Sequence, residues 1–334
     1  MRKLLPDPIT FAEHPSVIIG HGVGLIEQTK RFALITSIAI SGGAARELGS
    51  LAVVDEGGAM TGYLSNGCID KDIQLHALDA LKTGMKKLIR YGDGSNFADL
   101  SLPCGGSLSV LIDPAPDVAA LTQAHRDLRE RRTAVLNFTV PPKAGKAEHS
   151  ICFEYRPQFR LVLAGRGAIF RAVAQVGHAA GFEVFCMTPD VDDLVAVQSL
   201  NKTKPTHLFS PSQAVLMPQL DENAAFLTLF HDHEWEPELL RAAIATPAHF
   251  IGSLGSRRTH QARLDHLRNV GVAEVDIDRL NGPIGLVASL RDAPLIAVSA
   301  IAEITASLPP SICEISEDFA TGSGQTGRRQ AYSH

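Results

Sequence analysis

Cysteine is scarce in this chain. Its 334 residues include five, Cys68, Cys104, Cys152, Cys186 and Cys313, odd in number, scattered and never in C-x-x-C spacing. That excludes a disulfide scaffold and argues against a structural zinc site. It fits a reducing compartment, so a cytoplasmic protein is expected. Long apolar runs are also lacking. No segment approaches the ~20 unbroken apolar residues of a membrane span, and Pro6, Asp7 and Pro8 interrupt a start that otherwise resembles a signal peptide. Basic excess is missing too: the formal net charge is -5. The only dense basic spots, Lys86-Lys87, Arg129 to Arg132 and Arg257-Arg258, are short, so no nucleic-acid partner is expected. There is no internal repeat.

What is present is a globular composition, 45% hydrophobic and 20% charged, in a chain long enough for two domains of ~100–200 residues. The segment PPKAGKAEHS at 141–150 reads as a linker or exposed loop. We expect an N-terminal mixed α/β domain over residues 1–150, a Rossmann-type doubly wound parallel sheet over 151–319 and a disordered tail over 320–334.

In the first half, Phe32–Ile40 reads as a buried strand. Leu51–Asp55 and Ala59–Tyr63 flank Glu56-Gly57-Gly58 as a hairpin. A helix is expected from about Ser65-Asn66-Gly67 to Lys82, with Ile69, Ile73, Ala77 and Leu81 on one face. Leu108–Leu111, Asp117–Arg131 and Thr133–Val140 read as strand, helix and strand. The second half alternates strand and helix from Arg160 to Leu308, which implies a mostly parallel sheet with helices on both faces.

The clearest local signal is LVLAGRGAIF at 161–170. A strand runs into Gly165-Arg166-Gly167 and a helix follows at once. Gly165 permits a tight turn, and Gly167 lets the backbone approach a pyrophosphate seated on helix N–H groups. Arg166 could touch a phosphate directly. The third glycine of G-x-G-x-x-G is replaced by Phe170. The carboxylate expected at the end of the second strand is absent, where Met187-Thr188-Pro189 stands and Asp190 comes late. The turn therefore either binds a nucleotide or is a Rossmann turn holding nothing.

IGSLGSRRTH at 251–260 again places a strand before a helix. Ser256 is a cap, and Arg257 and Arg258 crowd the positive end of the helix. Cations are unfavourable there unless an anion compensates; the two arginines either face a phosphate or carboxylate or project into water and pair with acids. His231 and His233 would face the same way on an extended strand. They suit a ligand-facing place at a strand end better than a metal site, since no third ligand is near.

Two glycine-flanked thiols complete the candidates. Cys68, in Leu64-Ser65-Asn66-Gly67-Cys68, stands where a helix is expected to begin, a location that favours thiolate. Cys104, in Leu102-Pro103-Cys104-Gly105-Gly106, stands in a glycine turn before a strand. Upstream, GGAARELGS at 42–50 carries Arg46 in a glycine-flanked loop. An open thiolate, an arginine and free N–H groups suit a soft metal centre attached to a phosphate-bearing ligand. The default for a buried cysteine is a small apolar filler; Cys104 is taken as functional ahead of that default, with Cys68 second.

These motifs together resemble the XdhC/CoxI family: GGAARELGS, LSNGCID and LPCGG in the first half, then LVLAGRG, LFHDHEWEPELLRAAI, FIGSLGSRRTHQARLDHL, GPIGL and IAVSAIAEITA in the second, in order along nearly the whole chain. The chain departs from the family pattern at Ala168, Phe170, Thr188 and Val287. The resemblance implies a chaperone, not itself a catalyst, that binds molybdenum cofactor as molybdopterin or its cytosine dinucleotide form. It implies help with sulfuration by a cysteine desulfurase, insertion into a molybdenum hydroxylase apoenzyme of the xanthine dehydrogenase or aldehyde oxidoreductase type, and a homodimer. Cys104 would contact molybdenum, supported by Cys68, Arg46, Gly105 and Gly106; Gly165, Arg166, Gly167, His231, Ser256 and Arg257 would hold phosphate or nucleotide. The alternatives are an NAD(P)-dependent oxidoreductase built on the Rossmann half, and a noncatalytic assembly partner with a vestigial pocket.

Overall fold

The computed structural model describes residues 8–43, 46–92, 105–142, 147–211, 217–231, 233–310 and 312–315. The chain divides into one unit running to Pro157 and resuming at Pro310, and a second unit, Gln158–Pro309. The expected tail at 320–334 and the candidate Cys104 lie outside the described residues.

The first unit opens with β1 (Ile9–Thr10), α1 (Pro15–Glu27), β2 (Phe32–Ser41), β3 (Leu51–Asp55), β4 (Met60–Gly62), α2 (Asp70–Thr83), β5 (Lys87–Gly92), β6 (Ser107–Asp113), α3 (Val118–Arg129), β7 (Ala134–Val140) and β8 (His149–Tyr155). Six of these strands form one sheet in the order β1-β4-β3-β2-β6-β5, antiparallel except where β1 pairs with β4. Alternation along β2 splits its side chains between two cores, because successive strand residues face opposite ways. Ala33 and Ile35 join α2 through Ile73, Ala77 and Leu81. Phe32 and Leu34 join Ile18 and Ile19 of α1 and Leu121 of α3. The expected hairpin at Glu56-Gly57-Gly58 is there, with Asp55 accepting hydrogen bonds from Gly57 N and Ala59 N, both at 2.9 Å.

The second unit comprises β9 (Arg160–Gly165), α4 (Gly167–Ala179), β10 (Glu183–Thr188), α5 (Val191–Val197), β11 (Thr206–His207), β12 (Ala224–Leu229), α6 (Glu236–Ile244), β13 (Phe250–Ser253), α7 (Arg257–Asn269), α8 (Glu274–Ile277), β14 (Leu280–Asn281) and α9 (Ala293–Ser307). Every strand pair is parallel, and the order is β11-β10-β9-β12-β13-β14. That is the doubly wound Rossmann arrangement, whose strand order reverses between the first and fourth strands, here β9 and β12. Leu161 and Leu163 face a core shared with α4 and α9, while Val162 and Ala164 face one shared with α6 and α7. Phe170, in place of the third glycine, is fully buried in the first of these cores. Burying such a ring contributes roughly 1.5–3 kcal/mol, so this position stabilises the fold instead of admitting a close helix–strand contact.

The chain then returns to the first unit as β15 (Ile312–Ile315), which pairs antiparallel with β8, and β8 with β7, in a second, three-stranded sheet. The expected boundary after residue 150 thus falls inside β8. Residues 151–157 and the last described strand belong with the first unit, because β8 finds its pairing partners and its core, through Phe153 and Tyr155, there. Among the described residues no helix is long and apolar enough to cross a membrane.

Candidate functional site

In the first unit the three motif segments open at one end of the six-stranded sheet. Ser41, the last residue of β2, pairs with Ser107 at the start of β6, and Ser107 pairs with Gly92 at the end of β5. At the same end, Gly62 closes β4 opposite Ala52 near the start of β3. The loop after β2, the loop after β4 and the Gly105-Gly106 turn before β6 are therefore neighbours.

Two contacts tie them together. Gly106 is pressed against the loop after β2, so that a Cβ on it would lie 2.7 Å from the Ser41 carbonyl oxygen and even closer to that of Gly43. Conversely, a Cβ on Gly42 would meet Gly106 Cα at 3.1 Å. The glycines here serve backbone-on-backbone approach. Arg46 makes the second contact. Its guanidinium lies over the Tyr63 ring, 4.7 Å from the centroid, and its Nη2 donates to the Glu13 carbonyl at 2.6 Å. Tyr63 in turn donates to Glu13 Oε1. Burial, and then the Glu13 hydrogen bond, raise the Tyr63 pKa. Arg46 Nε is buried without a hydrogen-bond partner among the described residues.

The LSNGCID loop is organised by a residue the sequence did not single out for this role. Asp70 is fully buried and accepts from Leu64 N at 2.7 Å, Ser65 N at 3.2 Å, Ser65 Oγ at 2.8 Å and Gly67 N at 2.7 Å. Helix α2 consequently starts at Asp70, later than the expected Ser65, and Cys68 stands exposed ahead of it. The sequence signal was an aspartate three residues after Gly67, the spacing at which an acidic side chain reaches back to a backbone N–H in a capping box.

In the second unit the candidates lie at the carboxyl ends of the parallel strands, where ligands bind in open α/β sheets. Gly165 faces β12: a Cβ there would sit 2.7 Å from Leu229 Cβ. Gly167 has a φ of +81°, which glycine adopts without strain. Arg166 is exposed. The Gly167 N–H already has an acceptor, Asp193 Oδ2 at 2.7 Å. Asp190 caps α5, accepting from Asp192 N at 2.8 Å and Asp193 N at 3.0 Å. Sequence reasoning missed Asp193, because its contact with Gly167 spans two helices.

His231 is exposed beyond β12, which stops at Leu229. His233 opens a 3-10 turn, so the two histidines do not share an extended strand, and no cluster suited to a metal occurs among the described residues. Ser256 caps α7 as expected, accepting from Thr259 N at 3.1 Å. Arg257 and Arg258 are exposed, with no acidic residue in the first turn. Beneath this turn Arg263 binds Glu236 through two nitrogens, at 2.7 and 2.9 Å, and donates to the Leu254 carbonyl at 2.5 Å. Its Nη1 is buried without a hydrogen-bond partner among the described residues. His260 on the same helix also has a buried Nδ1 without a hydrogen-bond partner among the described residues; burial, and then Arg263, lower its pKa.

Comparison with known proteins agrees with this two-part architecture. A family model described as the XdhC Rossmann domain matches residues 161–304, and one described as the XdhC and CoxI family matches residues 25–92. The chain is 28% identical over 309 residues to the molybdenum cofactor insertion chaperone PaoD of Escherichia coli (strain K12), covering 90% of each chain. It is also 28% identical over 289 residues to the uncharacterized protein YqeB of the same organism, covering 84% of this chain and 44% of YqeB. A crystal structure titled as a xanthine dehydrogenase from Bacillus halodurans superposes with a TM-score of 0.69 at 17% identity, over 86% of this chain and 95% of that one. At that identity the likeness is one of fold.

Proposed function

The chain belongs to the XdhC and CoxI family, and from that premise we propose that it is a chaperone for molybdenum cofactor: it holds the cofactor as cargo, assists its sulfuration by a cysteine desulfurase, and inserts it into a molybdenum hydroxylase. The similarity to PaoD along 90% of both chains supports the chaperone role. The client is an apoenzyme of the xanthine dehydrogenase or aldehyde oxidoreductase type, the cargo is molybdopterin or its cytosine dinucleotide form, and the chaperone works as a cytoplasmic homodimer.

The observation that carries this reading is the seating of Gly42 against Gly106, with Arg46 held over Tyr63, which gathers the three first-unit motifs at one sheet end. Cys104 adjoins that seat in sequence and is the soft ligand for the molybdenum end, since thiolates prefer such metals; Cys68 is the second thiol. Gly105, beside which a Cβ would meet nothing among the described residues, lets the cargo come close to the main chain, Gly106 seats the loop after β2, and Arg46 adds positive charge there. The start of α7, where Ser256 and the exposed Arg257 meet the positive end of a helix, is a separate anion site of the second unit, suited to a phosphate.

The test is mass spectrometry of small molecules released from the full chain purified from a molybdopterin-producing host. Molybdopterin is expected with the wild-type protein and lost from Cys104→Ala, whose circular dichroism stays unchanged. Equal cofactor content in the variant removes Cys104 from the site. No pterin in either protein overturns the chaperone reading.

A further inference from the structure

Three groups grip a dinucleotide in a Rossmann fold: a glycine turn that admits the diphosphate, the first N–H groups of the next helix, and a carboxylate after the second strand that binds ribose hydroxyls. In this chain the glycine turn and the first of those N–H groups are engaged with the protein itself, and Asp190, which comes late for the third place, is engaged as well. Gly165 is pressed against Leu229, where a Cβ would lie 2.8 Å from the carbonyl oxygen. The Gly167 N–H donates to Asp193. Asp190 is committed to capping α5.

We propose that Asp193 is an internal stand-in for the diphosphate, a specificity-determining residue that closes the β9–α4 turn to NAD(P) and to other nucleoside diphosphates. A phosphate oxygen bonded to Gly167 N would need a place about 2.7–3.0 Å from that nitrogen, and Asp193 Oδ2 holds that place at 2.7 Å. The carboxylate is only 1% exposed, and its other oxygen accepts from Arg171 Nε. A diphosphate brought beside it would set like charges in contact, which disfavours both. Asp193 cannot readily swing aside, because it lies in the first turn of α5 and its own N–H is held by Asp190. The turn keeps the shape of a dinucleotide site while the first N–H at its positive helix end is satisfied from within. This inference does not depend on the chaperone reading, since cargo held at the other motifs leaves the β9–α4 turn unused.

The test is isothermal titration of the full chain with ADP-ribose and with NADH, comparing wild type, Asp193→Ala, Asp193→Asn and Arg171→Ala. Asp193→Ala is expected to bind ADP-ribose at least about tenfold more tightly than wild type, the step made by one recovered charge-assisted hydrogen bond, with the gain shrinking as salt is added. Asp193→Asn, which loses the charge and keeps an acceptor for Gly167, is expected to gain less. Arg171→Ala keeps the carboxylate on the turn and is expected to gain nothing. Wild type binding ADP-ribose or NADH as tightly as Asp193→Ala overturns the proposal. So does the absence of any gain in folded Asp193→Ala and Asp193→Asn. Should the alanine variant fail to fold, the near-isosteric asparagine variant decides: a salt-sensitive gain supports the proposal and no gain overturns it.

Discussion

Replacing Asp70 by alanine should be among the most damaging single changes to the first unit. Its carboxylate accepts from three backbone N–H groups and one hydroxyl, all in the loop that presents Cys68. Not all of these donors would be stranded. Gly67 is exposed, so water can replace its acceptor. Leu64 and Ser65 are 1% and 7% exposed, so their two N–H groups would stay dry. A stranded buried donor costs ~1–3 kcal/mol, which gives about 2–6 kcal/mol for the pair. With a urea m-value of ~2 kcal/mol/M, the unfolding midpoint of the first unit should fall by about 1–3 M. Asp70→Asn should also be destabilising, because its amide nitrogen would point a donor at either the Leu64 and Ser65 N–H groups or the Gly67 N–H. The assay is urea unfolding followed by far-UV circular dichroism, with amide exchange of Leu64, Ser65 and Gly67 as the local readout. A midpoint within ~0.3 M of wild type, with these amides still protected, would refute the account of the loop.

Two further outcomes follow from the second unit. Arg257→Ala should weaken binding of inorganic phosphate or pyrophosphate in a salt-dependent manner, because its exposed cation stands at the positive end of α7; equal binding in low and high salt removes it from a phosphate contact. His260 has a lowered pKa, from burial first and the nearby Arg263 second. A depressed histidine contributes stability that is present above its unfolded pKa and is lost as pH falls through the folded one. Unfolding free energy should therefore drop between about pH 7 and about pH 5, and His260→Gln should reduce that drop when urea melts at the two pH values are compared.

The second unit was legible in the sequence because its signals are local. Apolar runs such as Leu161–Ala164 end in glycine and give way to helical spacing, and the resulting alternation has few topologies available to it. In the first unit β2, the β3–β4 hairpin and α3 were equally plain. Helix α1 escaped notice because Gly20, Gly22 and Gly24 lower its propensity, and packing on α3 and the sheet supplies what propensity does not. The start of α2 was misplaced since the carboxylate of Asp70 is used by the loop ahead of it. Among the candidate residues, Gly106 is seated against Gly42, and Arg46 faces Tyr63 and Glu13, pairings between distant segments that no local pattern encodes. Asp193 was invisible for the same reason: a carboxylate near a helix start reads as an ordinary capping residue until the neighbouring helix is seen.

Strand β15 has a consequence for how the protein is made. It pairs with β8, yet the whole of Gln158–Pro309 is translated between them. At ~5–20 residues per second, that interval lasts on the order of ten seconds. Throughout it the nascent first unit carries β8 with one edge bare, the kind of edge that recruits foreign strands. The growing polypeptide on the ribosome is thus where this fold is most open to wrong partners.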